Sequence, residues 1–112
     1  MEIKKIQDWE RNFAKKKGVN LKKNELIKVA ICKLMEETGE VARAILESRW
    51  NEVQAEISDV IVFACKIANI AEDIYKADKL EDVLKRKIKY CETRIFDKRS
   101  KKFNKPTNKE FK

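Results

Sequence analysis

From Met1 to Lys105 the chain contains two glycines, Gly18 and Gly39, and no proline; the single proline is Pro106. Tight β-turns and phosphate-cradling nests need residues that reach positive φ, which glycine does without steric cost. A chain this short of turn residues is not a sheet of many hairpins and carries no glycine-rich phosphate loop. Long helices with few connections remain. Its 112 residues fit one domain, near the lower end for a self-sufficient core, so assembly with further copies is expected to ease burial.

Apolar periodicity predicts four helices. The first runs from about Glu2 to Lys17, with Ile3, Ile6, Trp9, Glu10 and Phe13 on one stripe. Gly18 stops it, because glycine takes the left-handed conformation after a helix. The second spans about Asn24 to Ser48, with Asn24 as N-cap. The third opens on Asn51-Glu52-Val53-Gln54, a capping-box variant, and continues to about Tyr75. The fourth opens on Asp78-Lys79-Leu80-Glu81 and runs to about Lys98, with Leu80, Val83, Leu84, Ile88 and Cys91 as its apolar face. Four helices with short links predict an all-α, four-helix-bundle-type domain over residues 1–98, completed by oligomerisation. Residues 99–112, rich in Lys and Asn, read as a basic, mobile tail.

Composition removes several chemistries. The chain has no His, which excludes Ser–His and Cys–His nucleophile pairs and His-ligated metal. Cys32, Cys65 and Cys91 are odd in number and lack a Cys-x-x-Cys spacing; they read as small buried apolar residues. No apolar run reaches the ~18 residues that span a membrane. The opening Met1-Glu2-Ile3-Lys4-Lys5 leads into a charged segment rather than a signal core. A cytoplasmic protein without membrane contact is expected. The net charge of +8 invites a nucleic-acid reading, but much of it sits in Lys15–Lys17, Lys22–Lys23 and from Lys98 onward.

The carboxylates of the middle helices are out of place for a bland bundle. On a wheel of about 100° per residue, Leu26, Ile27, Ala30, Leu34, Val41, Ala44 and Ile45 form one face of the second helix. Glu37 projects inside that face, Glu40 lies at its edge near Lys33, and Glu36 points further toward solvent. On the third helix Val53, Ile57, Val60, Ile61, Ala64, Ile67, Ala68 and Ala71 make a broad apolar surface. Glu56 lies within its arc and Asp59 at its rim. An unpaired buried carboxylate costs several kcal/mol, against a net stability of about 5–15 kcal/mol. Such groups must be paired, protonated or bound to a cation. Two Glu/Asp pairs at i,i+3 on facing helices can converge, and an all-oxygen donor set favours Mg²⁺ or Mn²⁺. The competing reading pairs them with Lys33, Arg43 or Lys66.

These residues resemble a known signature. Glu36-Glu37-Thr38-Gly39-Glu40 followed by Glu56-Ile57-Ser58-Asp59 is similar to the two-part acidic motif of MazG-type nucleotide pyrophosphohydrolases. Gly39, in mid-helix at a cost of up to ~1 kcal/mol against Ala, fits the Glu-Glu-x-Gly-Glu form. Downstream, Lys87-Ile88-Lys89-Tyr90-Cys91-Glu92-Thr93-Arg94 resembles the family's Lys-x-x-Tyr-Asn-x-x-Arg pattern, with Cys91 in place of Asn. The likeness covers roughly residues 24 to 95. It implies an all-α homo-oligomer, dimer or tetramer, with the active site near a subunit interface. It also implies Mg²⁺-dependent release of diphosphate from a nucleoside triphosphate, as in nucleotide-pool house-cleaning. Matched position by position, Glu37, Glu40, Glu56 and Asp59 are the metal ligands and Glu36 a supporting acid.

The remaining residues can be assigned parts in that chemistry. Water is the expected nucleophile, with Glu36 or Glu37 taking its proton. Lys33, Lys87 and Arg94 are candidates for phosphate charge; the last two lie seven residues apart on one helical face. Trp9, Trp50 and Tyr90 are the candidates to stack on the base, with Phe13 as a further aromatic. Three readings compete: a phosphoribosyl-ATP pyrophosphohydrolase-like enzyme with a similar acidic signature, a basic helical nucleic-acid-binding module, and a helical interaction protein without catalysis. The inward carboxylates count against nucleic acid, because they repel phosphate unless a cation intervenes.

Overall fold

The computed structural model describes residues 1–18 and 22–104. Four helices account for most of it: α1 (Ile3–Lys16), α2 (Lys23–Leu46), α3 (Trp50–Asp73) and α4 (Leu80–Glu92). A short hairpin follows, β1 (Phe96–Asp97) antiparallel to β2 (Lys102–Phe103). The fold is all-α with this ribbon appended. The chain forms two compact units, Met1–Ala77 and Asp78 onward.

In the first unit α2 and α3, each 24 residues long, form a helical hairpin. Its link is a Schellman ending rather than the capping box expected at Asn51. Ser48 takes φ 56°, the Ser48 N–H donates to the Ile45 carbonyl at 3.0 Å, and the Arg49 N–H reaches back to Ala44 at 2.8 Å. That motif satisfies the last carbonyls of α2 and consumes the whole link. Helix α3 therefore starts at Trp50, with Arg49 at its N-cap and no side-chain cap. Asn24 is no cap either: α2 begins one residue before it, and its Oδ1 accepts the neighbouring Glu25 N–H at 3.1 Å. Gly18 does end α1 as expected, at φ 66°. Gly39 has nothing within 4 Å of where a Cβ would stand, so no contact among the described residues demands a glycine there.

Ala30, Ala44, Cys65 and Ile70 are the buried apolar residues of this unit. The apolar faces drawn from the wheel are only half buried. Ile45, Ile57 and Ile61 are exposed, and Ala64 with them. The α3 ridge that is covered runs through Cys65, Asn69, Ile70 and Glu72, because α1 packs along α3 on that side. Cys32 and Cys91 are exposed; of the three cysteines only Cys65 is buried, which corrects the expectation for the other two. Burial, with the Glu10 charge adding to it, pushes the Cys65 thiol above its usual 9.0.

The seam between α1 and α3 is polar. Gln7, Glu10, Asn69 and Glu72 are all buried. Asn69 Nδ2 donates to Glu10 Oε1 at 2.8 Å and to the Gln7 carbonyl at 2.9 Å. Gln7 Nε2 donates to Asn69 Oδ1 at 2.9 Å and to Glu72 at 2.7 Å. Lys66 reaches Glu10 at 3.0 Å, and Arg11 bridges Glu72 at 3.0 Å and Asp73 at 2.9 Å. Each buried carboxylate thus meets a cation and an amide, which is what keeps its burial from being prohibitive. Glu10, placed on the apolar stripe by its spacing, belongs to this network.

In the second unit α4 ends at Glu92, short of the Lys98 expected from its pattern. It starts at Leu80 without a side-chain cap; Asp78 instead pairs with Arg86 at 3.5 Å. At its end the Thr93 hydroxyl donates to the Tyr90 carbonyl at 2.6 Å, competing with continuation of the helix. The chain then turns into the hairpin. Asp97 accepts the Arg99 N–H at 2.9 Å, an Asx turn, and the Asn104 N–H donates to the Ile95 carbonyl at 2.8 Å. Residues 99–104 thus belong to structure, not to a tail; the part of the expected tail from 105 to 112 lies outside the described residues.

Candidate metal centre

The α2–α3 hairpin gathers three of the four acidic residues singled out by spacing. Glu37 from α2 and Glu56 and Asp59 from α3 each present a carboxylate oxygen, and these oxygens lie within 4.8 Å of one another. Glu37 and Glu56 are half-buried and Asp59 is exposed, as their places on the wheel suggested. Glu56 and Asp59 are one turn apart and so share a face; the short Ser48 link brings α2 alongside.

No cation of the described residues forms a salt bridge with these three carboxylates. Those proposed as partners are engaged elsewhere. Lys33 pairs with Glu36 at 3.3 Å, Arg43 with Glu40 at 3.7 Å, and Lys66 with Glu10 at 3.0 Å. Glu40 therefore faces Arg43, not Lys33, and its oxygens stand outside the group of three. Glu36 is exposed. Loss of water contact, and then the charges of Asp59, Glu56 and Glu36, raise the Glu37 carboxyl above its ordinary 4.5, with Lys33 opposing them. Like charges held together disfavour ionisation, and a hard cation would reverse that penalty. Carboxylate oxygens with no nitrogen or sulfur donor beside them fit Mg²⁺ or Mn²⁺.

The aromatic candidates have different settings. Trp9 is half exposed and stacks on Phe13 with centroids 5.1 Å apart. It walls a groove of about 420 Å³ with Met1, Lys5, Ile6, Ser58, Ile61 and Val62. Trp50 is exposed at the start of α3, beside a shallow hollow shared with Ser48, Arg49, Asn51 and Glu52. In the second unit Tyr90 is buried, with Lys87 Nζ 5.1 Å and Arg94 Cζ 5.5 Å from its ring centroid. Its ring is already engaged by two cations. The Arg94 Nε is buried without a hydrogen-bond partner among the described residues.

Reasoning from the sequence missed the polar seam, although it left a signal. Lys66, Asn69 and Glu72 interrupt the apolar second half of α3 every three residues, and Gln7, Glu10 and Arg11 stand at i, i+3 and i+4 on α1. A cavity of about 270 Å³ adjoins the seam, lined in part by Glu10, Arg11, Lys66 and Asn69. No helix among the described residues is long and apolar enough to cross a membrane.

The family model described as the MazG nucleotide pyrophosphohydrolase domain matches residues 27–96, a stretch that contains both acidic segments, α3 and α4. No curated protein and no solved structure gives a significant match.

Proposed function

The chain belongs to the MazG nucleotide pyrophosphohydrolase family, and from that premise we propose that it is a Mg²⁺-dependent enzyme cleaving a ribo- or deoxyribonucleoside triphosphate to the monophosphate and diphosphate. The observation that carries the reading is the convergence of Glu37, Glu56 and Asp59 oxygens within 4.8 Å, with no cation of the described residues to neutralise them. In the proposal these three hold the metal and Glu40 completes the set; Mn²⁺ can substitute. A metal bound there supplies charge neutralisation and polarisation of the phosphate. Glu36 or Glu37 takes the proton of the attacking water as the bond between α- and β-phosphate breaks. Lys33, Lys87 and Arg94 are assigned to phosphate charge. Trp9 and Trp50 are assigned to the base, with Tyr90 as a third aromatic. The proposal extends to a cytoplasmic homo-oligomer that clears nucleotides from the pool. Exposed Val29, Ile31, Met35, Ile45, Leu46, Ile57 and Ile61 support the oligomer, since scattered burial this poor leaves apolar surface for a partner copy.

The test is diphosphate release from a panel of nucleoside triphosphates, with Mg²⁺ and then with chelator. Chelator-sensitive release with matching monophosphate is expected. Silence across the panel overturns the nucleoside-triphosphate reading and turns attention to phosphoribosyl-ATP or to binding without turnover. Glu40→Gln and Glu56→Gln are each expected to abolish metal-dependent turnover while circular dichroism stays helical. Full activity in both would remove the site assignment.

A further inference from the structure

The hairpin Phe96–Phe103 has no part in the proposed hydrolysis. Its register sets Phe96 opposite Phe103, with ring centroids 5.2 Å apart and planes tilted by 59°. Both rings are open to solvent, at 48% and 60% exposure. A cross-strand aromatic pair stabilises a ribbon, yet pairing alone does not call for rings left half bare.

Beyond the pair the ribbon is cationic. Lys98, Arg99, Lys101 and Lys102 stand against one acid, Asp97, whose carboxylate is committed to the turn through the Arg99 N–H. None of these four cations has an acidic partner among the described residues. On the helices, by contrast, Lys4, Arg11, Lys33, Arg43, Lys85 and Arg86 each meet a carboxylate.

We infer that this hairpin binds single-stranded nucleic acid, the Phe96–Phe103 pair taking the bases and the Lys98–Lys102 turn taking the phosphates. Aromatic faces stack on any base, and adjacent cations follow the backbone, which together make a sequence-tolerant single-strand platform. A second copy of the same face is disfavoured, because it brings the same unpaired positive charges against these. A lipid surface fits less well: the rings sit at the base of the ribbon and the charges at its tip, so seating the rings in acyl chains would drag the charged turn in with them. A duplex offers no bare base faces to the rings.

The full-length chain is titrated into a fluorescein-labelled oligothymidylate of about 20 nucleotides, longer than the ~4–16 of a typical single-strand site, over a range of KCl. Binding is expected, weakening as salt rises. Phe96→Leu with Phe103→Leu keeps apolar bulk in the ribbon and removes the flat faces. It is expected to lower affinity about tenfold or more at fixed salt, with the salt slope unchanged. Lys98→Gln with Arg99→Gln leaves the backbone turn intact and is expected to lower the log–log slope by about 1.4, near 0.7 per phosphate contact. Lys15→Gln, Lys16→Gln and Lys17→Gln together serve as the control for net charge and are expected to change neither quantity as much. Diphosphate release is expected to be unaffected in all three variants. No binding at low salt overturns the inference. So does equal loss in the Lys15–Lys17 variant, which would assign binding to overall charge. So does binding to phosphatidylserine vesicles that the Leu variant loses, with none to the oligothymidylate.

Discussion

At the scale of single residues, Glu37 is where structure and chemistry meet. Its carboxyl is held above the ordinary 4.5, so the folded chain binds that proton more tightly than the unfolded chain does. The resulting stability is fully present below about 4.5 and is lost as pH rises through the raised folded value. A divalent cation in the cluster requires the ionised form and reverses the trend above that value. The expected outcome is a melting temperature at neutral pH that Mg²⁺ raises, and that Mg²⁺ leaves unchanged well below pH ~4.5. Thermal melts with and without Mg²⁺ check this, and Asp59→Asn should shrink the difference. The cysteines give a second reading at this scale. Cys32 and Cys91 are exposed and Cys65 is 1% exposed with a raised pKa, and the thiolate is the reactive form. Iodoacetamide followed by mass spectrometry should add two adducts to the native chain and three to the denatured one.

Among the elements, the α1–α3 seam is the most exacting contact. Asn69 makes three of its hydrogen bonds, to Gln7 side chain and backbone and to Glu10. Asn69→Leu removes all three and leaves buried Glu10 with Lys66 and buried Gln7 with Glu72 as their remaining side-chain partners, at a cost of about 1–3 kcal/mol. Urea denaturation should show that loss as a lower midpoint with little change in slope. An unchanged midpoint would mean the seam contributes no net stability. This is also the scale at which the sequence spoke most unevenly. Four helices were legible from apolar periodicity, and the end of α1 from Gly18, because each rests on local backbone chemistry. The acidic residues were legible because Glu37 and Glu56 fall inside apolar arcs, which a solvated helix does not require. The caps at Asn24, Asn51 and Asp78 were not: α2, α3 and α4 start without a side-chain cap, and α3 follows directly on the Ser48 ending of α2, whose geometry a capping motif does not encode. The hairpin at Phe96 was hidden because its charged turn has the composition of a tail. Its pairing rests on an Asx turn and one aromatic pair. The partner of Glu40 was misplaced because a wheel shows direction and not rise: Lys33 shares its direction but stands about 10 Å along the axis, whereas Arg43 is one turn away.

For the molecule as a whole, the buried apolar set among the described residues is five side chains, two of them alanines. A 13.2 kDa chain with so small a core and so many bare Ile, Leu, Met and Val side chains is poorly provided for as a monomer. Sedimentation equilibrium is expected to return a mass above 13.2 kDa at micromolar concentration. Leu46→Lys, at a site 84% exposed, should shift the distribution toward the monomer if that end of α2 is part of the contact. A monomer at all concentrations would oppose the oligomer and leave the candidate metal centre untouched, since its three carboxylates lie within one chain.

Glu37, Glu56 and Asp59 all sit on one helical hairpin, joined by the three-residue turn at Ser48. Contacts so close in sequence close quickly, with little loop entropy to overcome. The geometry of the centre can therefore arise while α4 is still emerging from the ribosome, and a nascent chain paused at that stage should already sense divalent ions.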